Sequence, residues 1–161
     1  MDKHSHRKVS FQVAAALFLG CAWTFDAVAA GEGGHRHHVG AAAGYARHEN
    51  ENSTFVGLDY VYRFGGGPWA AGVFYEEVFG DFDLQAWGVS GGYFFSNGFK
   101  LGAGIGAEYK IKKDKTLALV HITAGYDWHF GNWSVGPVAT VDFIENGSQT
   151  YYLGLSAGYG F

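Results

Sequence analysis

The feature that most constrains this fold is an alternation of bulky apolar residues with small or polar ones. The fifth alternating segment shows it most clearly: one face carries Phe99, Leu101, Ala103, Ile105, Ala107, Tyr109 and Ile111. The opposite face carries Lys100, Gly102, Gly104, Gly106, Glu108 and Lys110. A side-chain period of two is typical of β-strands and not of helices. The sequence therefore predicts an all-β chain.

The alternation recurs in eight segments separated by turn residues. The segments span 38–49, 54–64, 69–79, 84–95, 99–111, 116–130, 133–144 and 150–161. Each is about as long as a tilted strand that crosses a bilayer, ~9–11 residues. Tight turns are predicted at 65–67, 96–98 and 131–132, and polar loops of about five residues at 49–53, 80–83, 112–115 and 145–149. This order predicts consecutive hairpins with both ends of the chain on one side.

Composition decides which face of the strands points outward. Charged residues make up 16% of the chain and apolar residues 48%, with 26 glycines. Soluble surfaces usually carry about 25–35% charged residues, so a face of glycine, alanine and serine suits a narrow barrel interior better than a wet exterior. The bulky face then meets lipid, and Pro137 on that face removes one ladder donor. We predict an eight-stranded antiparallel up-and-down transmembrane β-barrel.

The first 30 residues are typical of a secretory signal peptide. A positive start is followed by an apolar run at 9–20 and small residues at 27–30. Cleavage is predicted after Ala29 or Ala30, which leaves a periplasmic tail at 31–37 and a barrel at 38–161. A lipoprotein signal ending before Cys21 is the alternative. Cleavage at the predicted position removes this cysteine, the only one in the chain, and with it any disulfide.

Aromatic residues concentrate at both ends of the predicted strands. Rings with a polar edge favour the two boundaries of the hydrocarbon layer, so these bands predict membrane girdles. The predicted girdle residues are Trp69, Trp87, Trp128, Trp133, Tyr159 and Phe161.

Polar side chains on the small face form the main candidate site. If that face lines the lumen, these residues are predicted to form a polar network: Asp59, Arg63, Lys100, Glu108, Lys110, His121, Asp127, His129 and Asp142. Inward glycines predict room for a water-lined path or a small cavity, at Gly102, Gly104, Gly106, Gly154, Gly158 and Gly160. Bulky inward residues are the alternative, as a plug formed by Phe74, Leu117, Leu119 and Val138.

Two weaker patterns carry possible chemistry. His35, His37 and His38 have a spacing that can bind zinc, copper or nickel. No cysteine or second cluster completes a site, so we predict a soluble tail and no metal. His121 and Thr123 share a face with Asp127, a spacing similar to the His-x-Ser element of outer-membrane lipid A deacylases. The alternation points them inward, which favours a polar lumen pair and no catalytic residues.

The C-terminal segment carries the most specific resemblance. Leu153, Leu155, Ala157, Tyr159 and a terminal Phe161 alternate as in the closing strand that bacterial barrel-assembly machinery reads. The chain over 38–161 resembles the small eight-stranded, porin-like outer-membrane barrel superfamily, although Ser156 stands where that signal often has glycine. The resemblance implies Sec-type export to a bacterial outer membrane. It also implies contact with the assembly machinery, membrane lipid and lipopolysaccharide. Lys112, Lys113 and Lys115 in one loop are predicted to form a solvated turn, with pairing to lipopolysaccharide phosphates as the alternative.

The functional expectation is a non-enzymatic barrel that serves the envelope structurally or passes small solutes in the manner of a porin. A lipid-acting outer-membrane hydrolase and a secreted soluble ligand-binding barrel are the alternatives. No cofactor is expected. The net charge of −4 argues against nucleic acid as a partner.

Overall fold

The structure, a computed structural model, describes residues 35–80 and 82–161. The predicted signal peptide and the first residues of the predicted tail lie outside this range. The described chain forms nine strands: β1 (His37–His48), β2 (Glu51–Arg63), β3 (Trp69–Gly80), β4 (Leu84–Phe94), β5 (Phe99–Lys110), β6 (Lys115–Tyr126), β7 (Trp128–Phe130), β8 (Trp133–Ile144) and β9 (Gln149–Gly160). One 3-10 turn, Phe64–Gly66, joins β2 to β3.

The strands close into one antiparallel barrel. The strands from β1 to β6 pair in chain order, β6 and β7 both pair with β8, and β8 pairs with β9. The barrel closes where β1 pairs with β9 from His38↔Gly160 to His48↔Thr150. The short β7 continues β6, since both pair with β8 in one register. The wall therefore has eight strands, which confirms the predicted fold. Within the described ranges, no helix is long and apolar enough to cross a membrane.

The two ends of the barrel differ in their connections. The terminal end holds both ends of the described chain and the turns after β2, β4 and β7; the loop end holds the four other connections. The loops at the loop end are shorter than predicted: residues 49 and 50 alone join β1 to β2, because Glu49 adopts a left-handed conformation (φ 53°). This connection is a tight turn, not the predicted five-residue loop.

The predicted sidedness agrees with the exposed surface. Outward side chains include Ile105, Leu153 and Leu155, each about two-thirds exposed, with the inward residues between them covered. The same alternation places Ala42 and Ala46 inward on β1 and Phe74, Glu76 and Val78 inward on β3. An apolar belt therefore surrounds the barrel while polar groups lie inside.

Pro137 lies on the outer face, as predicted, beside an interruption in the wall. Pairing of β8 with β6 stops at Gly125↔Val138 and resumes with β7 at Trp128↔Val135. Pairing of Pro137 with Leu155 on β9 continues. Because proline has no backbone N–H to donate, the ladder can break on one side of β8 and persist on the other.

The inward glycines bring neighbouring strands together, and they leave less room than predicted. A Cβ at Gly104, Gly106 or Gly154 would collide with the backbone carbonyl of a residue on the next strand. The inner faces of Gly158 and Gly160 are covered by the rings of His38 and His35. The backbone of the next strand or a histidine ring occupies the space beside these five glycines, whereas Gly102 lines the cavity described below.

This close approach predicts opposite outcomes for two inward glycines. Gly106→Ala should destabilise the barrel by about 1–3 kcal/mol, since the new methyl meets the Trp87 carbonyl. Gly57→Ala should be neutral or stabilising by about 0.4–1 kcal/mol, because its methyl would rest 3.6 Å from Glu76 Cγ and restrict the unfolded chain. Equilibrium urea unfolding in lipid vesicles measures both. Equal effects at the two positions would contradict the close approach at Gly106.

Candidate functional site

The interior of the barrel is closed at the loop end by a packed apolar cluster. Its members are buried and come from seven strands and one loop: Ala46, Phe55, Phe74, Val78, Phe82, Leu84, Ala86, Leu117, Leu119, Ile144 and Tyr152. We call this set the plug. Leu117, Leu119 and Phe74 were predicted as plugging residues and belong to it, whereas Val138 lines the space below. These buried side chains therefore pack across the lumen at the loop end of the described chain.

Below the plug lies a cavity that offers water-sized molecules about 130 Å³. Its wall is mostly apolar, and its polar lining residues are His38, Ser90, Lys100, Thr123, Thr140, Ser156, Asp59, Glu76, His121 and Tyr152. The Asp59 side chain is 40% exposed, so solvent enters from the terminal end. These polar groups, together with a volume of several water molecules, favour a hydrated pocket.

Ionisable side chains gather where the cavity meets the plug. His121 Nδ1 lies 2.8 Å from Asp142 Oδ1, and the His121 ring stacks on Phe74 with centroids 4.1 Å apart. Glu76 lines the same end of the cavity and is buried. We call Glu76, His121 and Asp142 the triad. Burying ionisable groups costs free energy unless they are paired or bind a cation. The triad therefore needs a compensating partner.

A second buried acidic residue, Glu108, lies beside the triad and pairs with a lysine side chain. Lys110 Nζ is 3.4 Å from Glu108 Oε1 and 3.3 Å from His48 Nε2. His48 Nδ1 in turn lies 2.9 Å from Thr150 Oγ1. This chain of contacts links β5, β1 and β9 near the loop end and partly balances the charge of Glu108.

The other predicted network residues form separate contacts nearer the terminal end. Lys100 Nζ lies 2.9 Å from Asp127 Oδ1. His38 Nδ1 is 3.9 Å from Asp59 Oδ2. Arg63 donates from Nε to the Gly67 carbonyl at 2.9 Å, and its guanidinium carbon lies 5.2 Å from the Phe94 ring centroid. The predicted single network is therefore divided into groups at different depths.

His129 does not belong to the interior network that was predicted for it. It lies in β7, where all three residues are exposed. The cause is the geometry of the wall: β5 ends its pairing at Phe99↔Tyr126, so β7 is paired with β8 alone. Because β7 extends beyond the end of β5, its side chains lie outside the closed part of the barrel and do not line the lumen.

The hydrolase constellation is not assembled. His121 contacts Asp142, while Asp127 is bound by Lys100. The Thr123 hydroxyl donates to the Ala139 carbonyl at 3.4 Å and accepts from Thr140 at 3.1 Å. A nucleophile needs a base within hydrogen-bond reach, and no hydrogen bond joins Thr123 to His121 in the described chain.

The three histidines at the start of the barrel have separate surroundings. His37 Nδ1 contacts the Tyr60 hydroxyl at 2.7 Å, and its ring stacks on Phe161 with centroids 5.4 Å apart. His38 turns inward, with Nε2 3.3 Å from Ser134 Oγ. Adjacent strand residues face opposite sides, which separates the His37 and His38 imidazoles, while the His35 ring covers the inner face of Gly160. β1 also begins at His37, one residue earlier than predicted.

Four of the six predicted girdle residues lie at the ends of strands, while Trp87 is the fourth residue of β4 and Phe161 follows β9. Trp69, Trp87, Trp128, Trp133 and Tyr159 are exposed, and Phe161 is partly covered. At the terminal end the rings contact one another: Trp133 packs edge-on against Tyr159 at 4.9 Å, and Trp69 against Tyr93 at 4.9 Å. These contacts form an aromatic band around the terminal end of the barrel.

Sequence reasoning missed Glu76 and His48. Segment three carries bulky residues on both faces, so its facing was not assigned from alternation alone. A usable signal existed, because Phe74 was considered as an inward plugging residue and Glu76, two residues further along the strand, shares its face. His48 was not assigned because β1 consists largely of glycine and alanine, which give little contrast between faces.

Comparison with solved structures returns small outer-membrane β-barrels. Neisserial surface protein A matches with a TM-score of 0.65 at 16% identity, over 78% of this chain and 97% of that one. The N-terminal β-barrel domain of Pseudomonas aeruginosa OprF matches at 0.64 and 17%, over 80% and 99%. The Yersinia pestis outer membrane protein Ail, in a phospholipid bilayer nanodisc, matches at 0.50 and 16%, over 77% and 99%. No protein-family model and no curated protein sequence matches the chain.

Proposed function

We propose that this chain, which has the fold of the small eight-stranded outer-membrane barrels, is an integral protein of a bacterial outer membrane that supports the envelope structurally and neither conducts solutes nor catalyses a reaction. The exposed apolar belt supports the membrane location. Contiguous exposed apolar surface of this extent is rare on soluble monomers, and it speaks against the alternative of a secreted soluble barrel. The similar solved structures, which include outer-membrane proteins, point to the same location.

The plug is the observation that carries the structural role. Side chains from opposite walls meet across the lumen, and Leu84, Ala86 and Leu117 in it are each at most 2% exposed. Small eight-stranded barrels are commonly filled in this way, whereas porins with wider barrels leave a channel. The cavity below the plug opens only toward the terminal end in the described chain, which does not suit passage of solutes.

The short connections at the loop end support the same role. The four loops have two to four residues, between His48 and Glu51, Gly80 and Leu84, Lys110 and Lys115, and Ile144 and Gln149. Large binding surfaces and catalytic lids are usually built on longer loops. The loop end is proposed to face the cell exterior and the terminal end the periplasm, after export directed by residues 1–30.

The proposed partners follow from the outer surface. Membrane lipid would cover the apolar belt, and lipopolysaccharide would border the loop end, where Lys112, Lys113 and Lys115 lie. The outward residues of β9 and the terminal Phe161 are proposed to be read by the barrel-assembly machinery. A lipid-acting hydrolase is less consistent with the site, because the triad faces the lumen and not the lipid.

Planar-bilayer recording tests the proposed closed barrel. The purified protein should give no discrete channel openings, because the plug blocks the lumen. A variant with Leu84, Leu117 and Leu119 all replaced by alanine should show openings, or a leak, if it folds. Frequent openings by the unmodified protein would contradict the proposal and favour porin-like passage. Modification of lipid A by the purified protein would favour the hydrolase.

A further inference from the structure

We propose that the triad of Glu76, His121 and Asp142 binds one divalent transition-metal ion inside the barrel, with zinc as the best-fitting ion. One donor atom from each residue lies within 4.8 Å of the others, and all three residues are buried. They come from β3, β6 and β8, so the barrel wall and not a flexible segment holds them in place.

The donor distances suit a small ion. Zinc binds imidazole nitrogen and carboxylate oxygen at about 2.0–2.2 Å, so tetrahedral donors are separated by about 3.4 Å. The His121–Asp142 contact of 2.8 Å is shorter than this, and the remaining separations reach at most 4.8 Å. Modest side-chain rotation would bring all three donors onto one ion. Coordination to the ion would then replace the hydrogen bond between the His121 imidazole and the Asp142 carboxylate.

Unpaired carboxylate oxygens provide the independent reason to expect a cation. Glu76 Oε2 and Asp142 Oδ2 are buried without a hydrogen-bond partner in the described chain. Lys110 pairs with Glu108, and the two triad carboxylates lie beside the His121 ring and the buried hydroxyl of Tyr152. Buried charges are normally paired or bind metal, and a divalent ion would balance both carboxylates at once.

The donor atoms select the class of ion, and the cavity provides its route into the barrel. One imidazole and two carboxylates, without a thiolate, suit zinc, manganese or iron(II), whereas magnesium and calcium prefer oxygen donors alone. Glu76 and His121 line the cavity, which solvent enters near Asp59. Three protein ligands would leave one coordination position open to water in that cavity.

The test uses the full folded barrel in detergent, freed of metal by chelator and then titrated with zinc chloride in a calorimeter. We expect one zinc per chain and release of protons, since imidazole and carboxyl groups must be deprotonated to bind metal. Glu76→Gln and Asp142→Asn should each weaken binding by at least about 100-fold, given that loss of outer-shell partners alone costs about 10–100-fold.

Two matched controls separate this site from other donors. Asp59→Asn removes a carboxylate from the same cavity that is not a proposed ligand, and it should weaken zinc binding far less than Glu76→Gln does. A variant with His35, His37 and His38 all replaced by glutamine should also retain binding, which excludes the histidines near the start of the barrel. If this variant loses the zinc, the proposed site is wrong.

Cobalt(II) keeps the proposal testable if the triad variants fail to fold. The unmodified barrel loaded with one cobalt should show visible absorption bands of a four- or five-coordinate nitrogen–oxygen site. Absence of these bands together with absence of zinc uptake would overturn the proposal, and would mean that protons compensate the buried carboxylates.

Discussion

Replacing Lys100 with methionine is expected to destabilise the folded barrel by about 3–5 kcal/mol, the usual cost of leaving a buried charge without its partner. Lys100 Nζ lies 2.9 Å from Asp127 Oδ1, and the Asp127 side chain is only 4% exposed. Methionine keeps most of the length of the lysine side chain and removes the charge. The measurement is equilibrium urea unfolding in lipid vesicles, followed by tryptophan fluorescence.

A double-mutant cycle isolates the pair from the packing around it. Asp127→Asn alone should cost less than Lys100→Met, because Lys100 is 20% exposed and its flexible ammonium group can move toward water. The double variant should be about as stable as Asp127→Asn. This non-additivity is the signature of an uncompensated charge in the Lys100→Met variant.

Lys113→Met provides the matched control, since Lys113 is exposed in the loop between β5 and β6. Surface substitutions of this kind usually change stability by less than about 0.5 kcal/mol. If Lys100→Met cost no more than the control, water would have to solvate Asp127 in the lumen. The ion pair would then contribute little to holding β5 against the junction of β6 and β7.

The strand positions and their facing were predictable because both follow from a period of two. In β5 every second residue from Phe99 to Tyr109 is apolar, so a shift of one residue would place the whole apolar set inside. The predicted segment boundaries differ from the observed ones by at most three residues, apart from the interruption of β6 at Asp127. Pro137 was a visible warning of that interruption.

Interior contacts were not predictable, because they depend on register between strands that are distant in sequence. His121 was assigned Asp127 as a neighbour through spacing along one strand. Its actual partner, Asp142, is directly opposite it in the pairing of β6 with β8. Facing can be read from one strand alone, whereas a partner requires the register of two.

The space beside the inward glycines was not predictable from the sequence either. From sequence, a glycine shows only that a side chain is missing. Whether the resulting space is empty depends on how closely the next strand approaches, and at Gly106 and Gly154 that strand's backbone occupies it. The cavity that remains is bounded by side chains such as Phe74 and Val138 as much as by glycine.

Lysine at Leu155 is expected to destabilise the barrel by about 2–4 kcal/mol, the cost of placing this charge on the lipid face near the middle of a bilayer. Leu155 lies near the centre of β9, points outward and is 64% exposed. Lysine this far from either headgroup region cannot easily extend its ammonium group into water. The measurement is again urea unfolding in lipid vesicles.

Ser156→Lys is the control for the added charge, and Leu155→Ala is the control for the lost side-chain volume. Ser156 points into the cavity, and its hydroxyl donates to the Gly136 carbonyl at 3.2 Å. Ser156→Lys should therefore cost only about 1 kcal/mol, mainly the lost hydrogen bond, because its ammonium group reaches the hydrated lumen. Leu155→Ala reports the loss of side-chain contact without charge. If Leu155→Lys were as stable as Leu155→Ala, the outer face would be exposed to water, and the membrane assignment would have to be abandoned.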